Sequence, residues 1–126
     1  NKIKLKIPIE YNNYIISHIN PCLCLLKYNN HGMLPIHYDA ENIEYIKENN
    51  QIYKTIFILS IYLNDNFNGG NTDFINFNTL EVEKSIKPKQ GNAICFSLNY
   101  PHRGNKTTKL QEHKILMNCD IMGYKK

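Results

Sequence analysis

The stretch "YKTIFILSIYLN" (residues 53–64) is β-branched or aromatic over most of its length and stops at "NDNFNGGN", a run of asparagine and glycine. Side chains of the first kind fit a pleated, buried surface, and those of the second supply turns. The pattern recurs. "PCLCLLKY" (21–28), "NTDFINF" (71–77), "LEVEKSI" (80–86), "NAICFSL" (92–98) and "KILMNCDIMG" (114–123) are bounded in the same way, with "NNHG", "KPKQGN" and "NYPHRGN" as further breaks. Many short strands with little helix predict an all-β sandwich or barrel. Only "IEYNNYIISHI" (9–19) and "AENIEYIKEN" (40–49) leave room for a helical turn, the second reading better as a loop across the mouth of the fold. Gly69-Gly70 is expected to close a hairpin, and Gly91 to reverse the chain before a buried strand.

A chain of 126 residues holds one hydrophobic core, so residues 1–126 are read as a single domain. It opens on Asn1, without an initiator Met, and reads as a piece of something longer. The net charge of +4 comes from dispersed lysines, not from the clustered Lys/Arg stripe of a nucleic-acid binder. No apolar run is long enough to cross a bilayer, so a soluble protein is expected. Cys22, Cys24, Cys95 and Cys119 form no C-x-x-C pair, and Cys22 and Cys24 alternate with Leu23 and Leu25. They are expected to be free core thiols, which favours a reducing, cytoplasmic compartment.

The chemistry begins at "LPIHYDAEN" (34–42). In an extended segment over 33–39, His37 and Asp39 point to one face while Ile36 and Tyr38 point to the other. An imidazole and a carboxylate placed this way supply two corners of the facial triad that holds non-haem Fe(II) with open positions. Taken alone, H-x-D reads more readily as a solvated turn. A metal site needs a distant histidine, and His102 in "FSLNYPHRGN" is suitably placed after a strand and before a glycine. His18, His31 and His113 read as surface or loop residues.

An iron site that activates dioxygen needs a two-electron cosubstrate, most commonly 2-oxoglutarate, whose far carboxylate requires a cation. Lys114 opens the last apolar strand and is the natural anchor, its burial being costly unless a carboxylate neutralises it; the other reading is a lysine at an exposed strand edge. Tyr28 and Tyr62 have small or apolar alternate neighbours, which turns them inward. Each reads as a cosubstrate-pocket hydroxyl or as a core aromatic bonded to backbone.

The succession "LLKYNNHGMLPIHYD", "IFILSIYLNDNFNGGNTDF", "IKPKQGNAICFSLNYPHRG" and "HKILMNCDIMGY" resembles the prolyl 4-hydroxylase-like branch of the 2-oxoglutarate and Fe(II)-dependent dioxygenases, from about Cys22 to Tyr124. The resemblance implies a double-stranded β-helix, a cupin-like jelly roll, lacking part of the helical region that precedes the barrel in the family. It implies iron on His37, Asp39 and His102, the 2-oxoglutarate carboxylate on Lys114, and cosubstrate hydroxyls from Tyr28 and Tyr62. Lys106, Lys109 and Arg103 are the alternative cations. The cofactor set implied is Fe(II), 2-oxoglutarate and dioxygen, with ascorbate as an optional addition. The reaction implied is hydroxylation of an unactivated C–H bond with release of succinate and carbon dioxide. A peptide or protein substrate carrying proline leads, with a small molecule as the alternative. Rival readings are a catalytically inactive jelly-roll binding module and a nucleic-acid demethylase using the same iron chemistry; dispersed basic residues argue against nucleic acid.

Overall fold

The structure is a computed structural model that describes residues 7–46 and 50–126. Among these there is no helix. Eleven strands run in chain order: β1 (Glu10–Tyr11), β2 (Tyr14–Ile19), β3 (Cys24–Tyr28), β4 (Leu34–His37), β5 (Ile43–Ile46), β6 (Gln51–Tyr62), β7 (Thr72–Ile75), β8 (Val82–Ile86), β9 (Ala93–Ser97), β10 (His102–Gly104) and β11 (Lys114–Lys125). No helix of the described residues is long and apolar enough to cross a membrane.

The two longest strands, β6 and β11, pair antiparallel from Tyr62↔Leu116 to Tyr53↔Tyr124 and form the spine of the larger sheet. On the far side of β11 lie β3 and then β2; on the far side of β6 lie β5 and β9. The smaller sheet has the order β4-β10-β7-β8. The chain is thus a jelly roll, whose two sheets bury the faces that strand alternation turns inward.

Alternation sorts the larger sheet into two faces. Phe57, Leu59, Cys119 and Ile121 form one cluster, with Tyr11, Tyr14 and Ile16 packed on it. Ile58, Phe96 and Leu98 face the other way and meet Phe74 of the smaller sheet. The functional pocket lies on this inner side.

Three expectations need correcting. Residues 9–19 form β1 and β2, because Tyr14, Ile15 and Ile16 find a ladder on β11. Within 40–49, Ile43–Ile46 pair with β6 as a strand, and residues 47–49 lie outside the described residues. Gly69-Gly70 closes no hairpin: β6 and β7 belong to different sheets, and the segment carries the chain between them. Both glycines do have positive φ, 74° and 67°, as such a crossing turn requires.

The cysteine reading also changes. Cys119 alone is buried, while Cys22, Cys24 and Cys95 are exposed. Apolar neighbours in sequence say nothing about which strand face is covered.

Gly123 marks the tightest approach within the larger sheet. A β-carbon there would meet the Ile15 carbonyl oxygen and Ile56 Cγ1, each at 2.8 Å. Both flanking ladders shift register beside it, at Met122/Gly123 and Ile121/Met122. Gly123→Ala is expected to cost about 1–3 kcal/mol by overpacking, read as a lowered urea midpoint; an unchanged midpoint would show that the bulge absorbs the methyl group.

Candidate metal centre

His102 sits on β10, the strand flanked by both β4 and β7, and its backbone position is opposite His37 on one side and Phe74 on the other. β4 ends at His37, and Asp39 lies two residues beyond it. An extended segment over 33–39 would put His37 and Asp39 on one face; the hydrogen-bonded strand itself covers Leu34–His37, and Asp39 follows in the irregular segment after it. The consequence is convergence. Ligand atoms of His37, Asp39 and His102 lie within 4.8 Å of one another.

Hydrogen bonding fixes what those atoms are. His37 Nδ1 donates to the Pro35 carbonyl at 2.7 Å, and His102 Nδ1 to the Tyr100 carbonyl at 2.9 Å. A carbonyl oxygen can only accept, so each Nδ1 carries a proton, which leaves Nε2 as the ring atom available to a metal. These Nε2 atoms face the Asp39 carboxylate at 3.4 and 3.5 Å. Asp39 Oδ2 is buried and has no hydrogen-bond partner. Burial pushes the His102 pKa down, favouring the neutral ring. Three lone-pair donors facing one another, with the outer ring nitrogens tied to backbone, fit a divalent cation with imidazole and carboxylate ligands.

A pocket of about 370 Å³ opens beside these residues, lined in part by Tyr28, Leu26, Ser60, Thr72, Leu116 and Asn118. Strand pairing explains the lining, since Tyr28 lies opposite Lys114 and Tyr62 opposite Leu116. Tyr62 exchanges a 2.8 Å hydrogen bond with Thr72, and Ser60 donates to Asn118 at 2.6 Å. Burial pushes the Tyr28 and Tyr62 phenols up, so both stay protonated.

Lys114 is fully buried. Its ammonium donates to the Gly70 carbonyl at 3.0 Å, approaches the Asn105 carbonyl at 3.5 Å, and lies 4.1 Å from the centre of the Tyr28 ring. The expected exposed-edge alternative is thereby excluded. The ammonium's partners among the described residues are carbonyl oxygens and an aromatic face. Desolvation lowers its pKa to about 8.

The remaining expectations fall as follows. His18 is on β2, bonded to Glu44, and His31 occupies a turn with its ring on the Thr107 carbonyl. Arg103 points away and pairs with Asp73 at 2.9 Å. Thr72 and Gly104 were missed by sequence reasoning. Thr72 was legible as the inward alternate of Phe74; Gly104 carried no local signal, being needed because a β-carbon there would come within 3.1 Å of the Tyr28 hydroxyl.

Residues 23–120 match the family model described as the 2OG-Fe(II) oxygenase superfamily. Among solved structures, the chain is similar to the viral collagen prolyl hydroxylase of Paramecium Bursaria Chlorella virus-1 in its 2OG complex, at 24% identity and a TM-score of 0.60, over 88% of this chain and 63% of that one. It is also similar to a Pseudomonas putida prolyl-4-hydroxylase, at 12% identity and a TM-score of 0.55, over 88% of this chain and 54% of that one. The chain therefore spans less than two thirds of either. No curated protein matches it at a significant level.

The buried ammonium makes a stability prediction. Lys114 has an ordinary value of 10.5 and a folded value of about 8, so the unfolded chain binds more protons between those limits and folding stability rises with pH across them. Below pH 8 the full penalty, on the order of 3 kcal/mol, is present. Lys114→Met should remove this pH dependence and unfold at higher denaturant than the wild type at pH 7, without added ligands. Parallel stability curves from pH 8 to 10.5 would show that the ammonium is not desolvated.

Proposed function

The chain belongs to the 2OG-Fe(II) oxygenase superfamily, and on that premise we propose that it hydroxylates an unactivated C–H bond of a peptidyl proline using Fe(II), 2-oxoglutarate and dioxygen. The observation that carries the reading is the Asp39 carboxylate, whose Oδ1 faces His37 Nε2 and whose buried, unpartnered Oδ2 faces His102 Nε2, beside a pocket whose Tyr28 wall covers a cation with no counter-ion among the described residues. One centre asks for a divalent cation and the other for an anion. The proline substrate is taken from the two similar structures, whose names state prolyl hydroxylases.

His37, Asp39 and His102 would hold the metal, and Fe(II) with 2-oxoglutarate would supply the two electrons that dioxygen needs, so that 2-oxoglutarate, dioxygen and the C–H substrate would give succinate, carbon dioxide and the hydroxylated product. The Pro35 and Tyr100 carbonyls orient the two imidazoles and keep them in the ligating tautomer. Lys114 pairs with the distal carboxylate, which would restore the charge its burial disfavours. The Tyr28 phenol, protonated and without a partner among the described hydrogen bonds, donates to the cosubstrate. Tyr62, tied to Thr72, fixes that wall. Leu26, Leu116 and Phe96 line the pocket and keep it dry.

The test is an anaerobic titration of Fe(II) with 2-oxoglutarate, following the visible charge-transfer band. The band is expected in the wild type and lost in Asp39→Ala; a folded wild type without it overturns the metal assignment. His102→Ala should abolish peptide-dependent succinate formation. Lys114→Met should raise the 2-oxoglutarate concentration needed by roughly tenfold to a hundredfold, the loss of a charge-assisted pair. An unchanged requirement would move the anchor to another cation.

A further inference from the structure

The inward side chains of β11 are Lys114, Leu116, Asn118 and Asp120, alternating with Cys119 and Ile121 of the outer cluster. The polar ones are engaged to different degrees. Lys114 donates to the Gly70 and Asn105 carbonyls. Asp120 accepts from Asn42 Nδ2 and, at 3.3 Å, from the Thr55 hydroxyl. The Asn118 side chain makes one hydrogen bond among the described residues, its Oδ1 accepting from Ser60 Oγ at 2.6 Å. Ser60 is 5% exposed and lies directly opposite on β6. This bond fixes the carboxamide with both Nδ2 hydrogens still to be used, and acceptance at the oxygen strengthens donation at the nitrogen.

Asn118 stands at a neck between two cavities. With Cys24, its cross-strand neighbour on β3, it lines both the metal pocket and a second cavity of about 380 Å³ that is bounded by Asn42, Ile43 and Glu44. Distance along the strand decides which molecule meets the carboxamide. Lys114 and Asn118 are four residues apart, about 13 Å in an extended strand, whereas a five-carbon diacid is roughly 5 Å long. An acid of that length paired with Lys114 leaves the Asn118 row uncovered. The row therefore faces the other reactant, the one whose C–H bond is to be hydroxylated.

We infer that Asn118, held by Ser60, is a specificity-determining donor that hydrogen-bonds a main-chain carbonyl oxygen of the substrate as it reaches from the second cavity toward the metal. This deepens the proposed function and rests on it. A carboxamide whose oxygen is already occupied offers only donors, so it selects an acceptor, and a peptide carbonyl is an acceptor that every residue carries. Beside it the floor of the metal pocket is apolar, formed by Leu26 and Leu116. One fixed donor on such a floor sets the depth at which the substrate backbone rests, and hence which carbon faces the metal. A substrate without an acceptor there would leave the donor unpaired, which is how a polar site rejects an otherwise similar molecule. Ser60 is the positioning residue of the pair.

The test measures binding of a short fluorescein-labelled proline-containing peptide by anisotropy, with Fe(II) and 2-oxoglutarate present under anaerobic conditions. A matching series replaces one carbonyl at a time by a thioamide, a weaker acceptor. One thioamide position should raise the Kd of the wild type on the order of tenfold. The same replacement should change nothing in Asn118→Leu, whose Kd for the parent peptide is already raised to that extent. Asn118→Asp keeps the Ser60 bond while removing the donors, and should lose affinity as Asn118→Leu does. Ser60→Ala should shrink the thioamide effect and Ser60→Thr restore it, a response that a purely structural serine would not give. As a readout separate from turnover, bound peptide should slow iodoacetamide labelling of Cys24, beside Asn118 in the ladder, and leave that of Cys95 unchanged. Thioamide effects of equal size in the wild type and Asn118→Leu, or none at any position, overturn the donor and leave the hydroxylase reading standing. A wild type that shows the charge-transfer band but binds no peptide overturns the donor and the peptidyl substrate together, leaving the iron chemistry.

Discussion

Two charges are left incomplete inside the sandwich, and most of its polar architecture is arranged around them. At one point the two oxygens of the Asp39 carboxylate face the Nε2 atoms of His37 and His102, and the buried Oδ2 has no hydrogen-bond partner among the described residues. At the other an ammonium is desolvated against carbonyls and a tyrosine ring. Each is unfavourable by itself, because a buried charge without a partner forfeits its hydration. Together they suit a cation at the first and an anion at the second. A molecule that chelates a metal at one end and carries a carboxylate at the other satisfies both, which is why the pair is more informative than either member.

The supporting structure follows from the need to hold these groups still. Lys114 is opposite Tyr28 on β3, and Gly70, which accepts from it, lies where the chain passes from one sheet to the other. On the outer face of the smaller sheet, Asp73 accepts from Ser85, Arg103 and Asn105, which sit on the adjacent strands or just beyond them. That network keeps β8, β7 and β10 in register, and β10 carries His102. Arg103 is thus spoken for by the fold, while Lys114 lies buried behind the Tyr28 ring that lines the pocket.

Much of this was legible in residue order, and the failures have physical causes. The strands over 24–28, 51–62, 72–75, 82–86, 93–97 and 114–125 lie where β-branched runs and their turn residues place them. That Tyr28 and Tyr62 turn to the same side as their apolar alternate neighbours follows from period-two alternation, whereas the burial of Lys114 needed the structure. The segments over 10–19 and 43–46 were harder, because their polar and apolar residues fit two periods and only the ladders on β11 and β6 decide between them. Exposure of Cys22, Cys24 and Cys95 was invisible for another reason: alternation says which residues share a face, never whether that face is covered. The meeting of His37, Asp39 and His102 needed the pairing of β4 with β10, a contact between segments more than sixty positions apart that no local window contains.

Among the described residues β4 is the terminal strand of its sheet, bonded on one side to β10. Edge strands open by local fluctuation at much lower free energy than global unfolding. His37 rides on this strand and Asp39 on the irregular segment that leaves it, whereas His102 is held between two neighbours. The three donors therefore differ in tenure: an ion seated among them would keep His102 longest, and fraying of one short edge would be enough to let it exchange with solvent while the rest of the jelly roll stays folded.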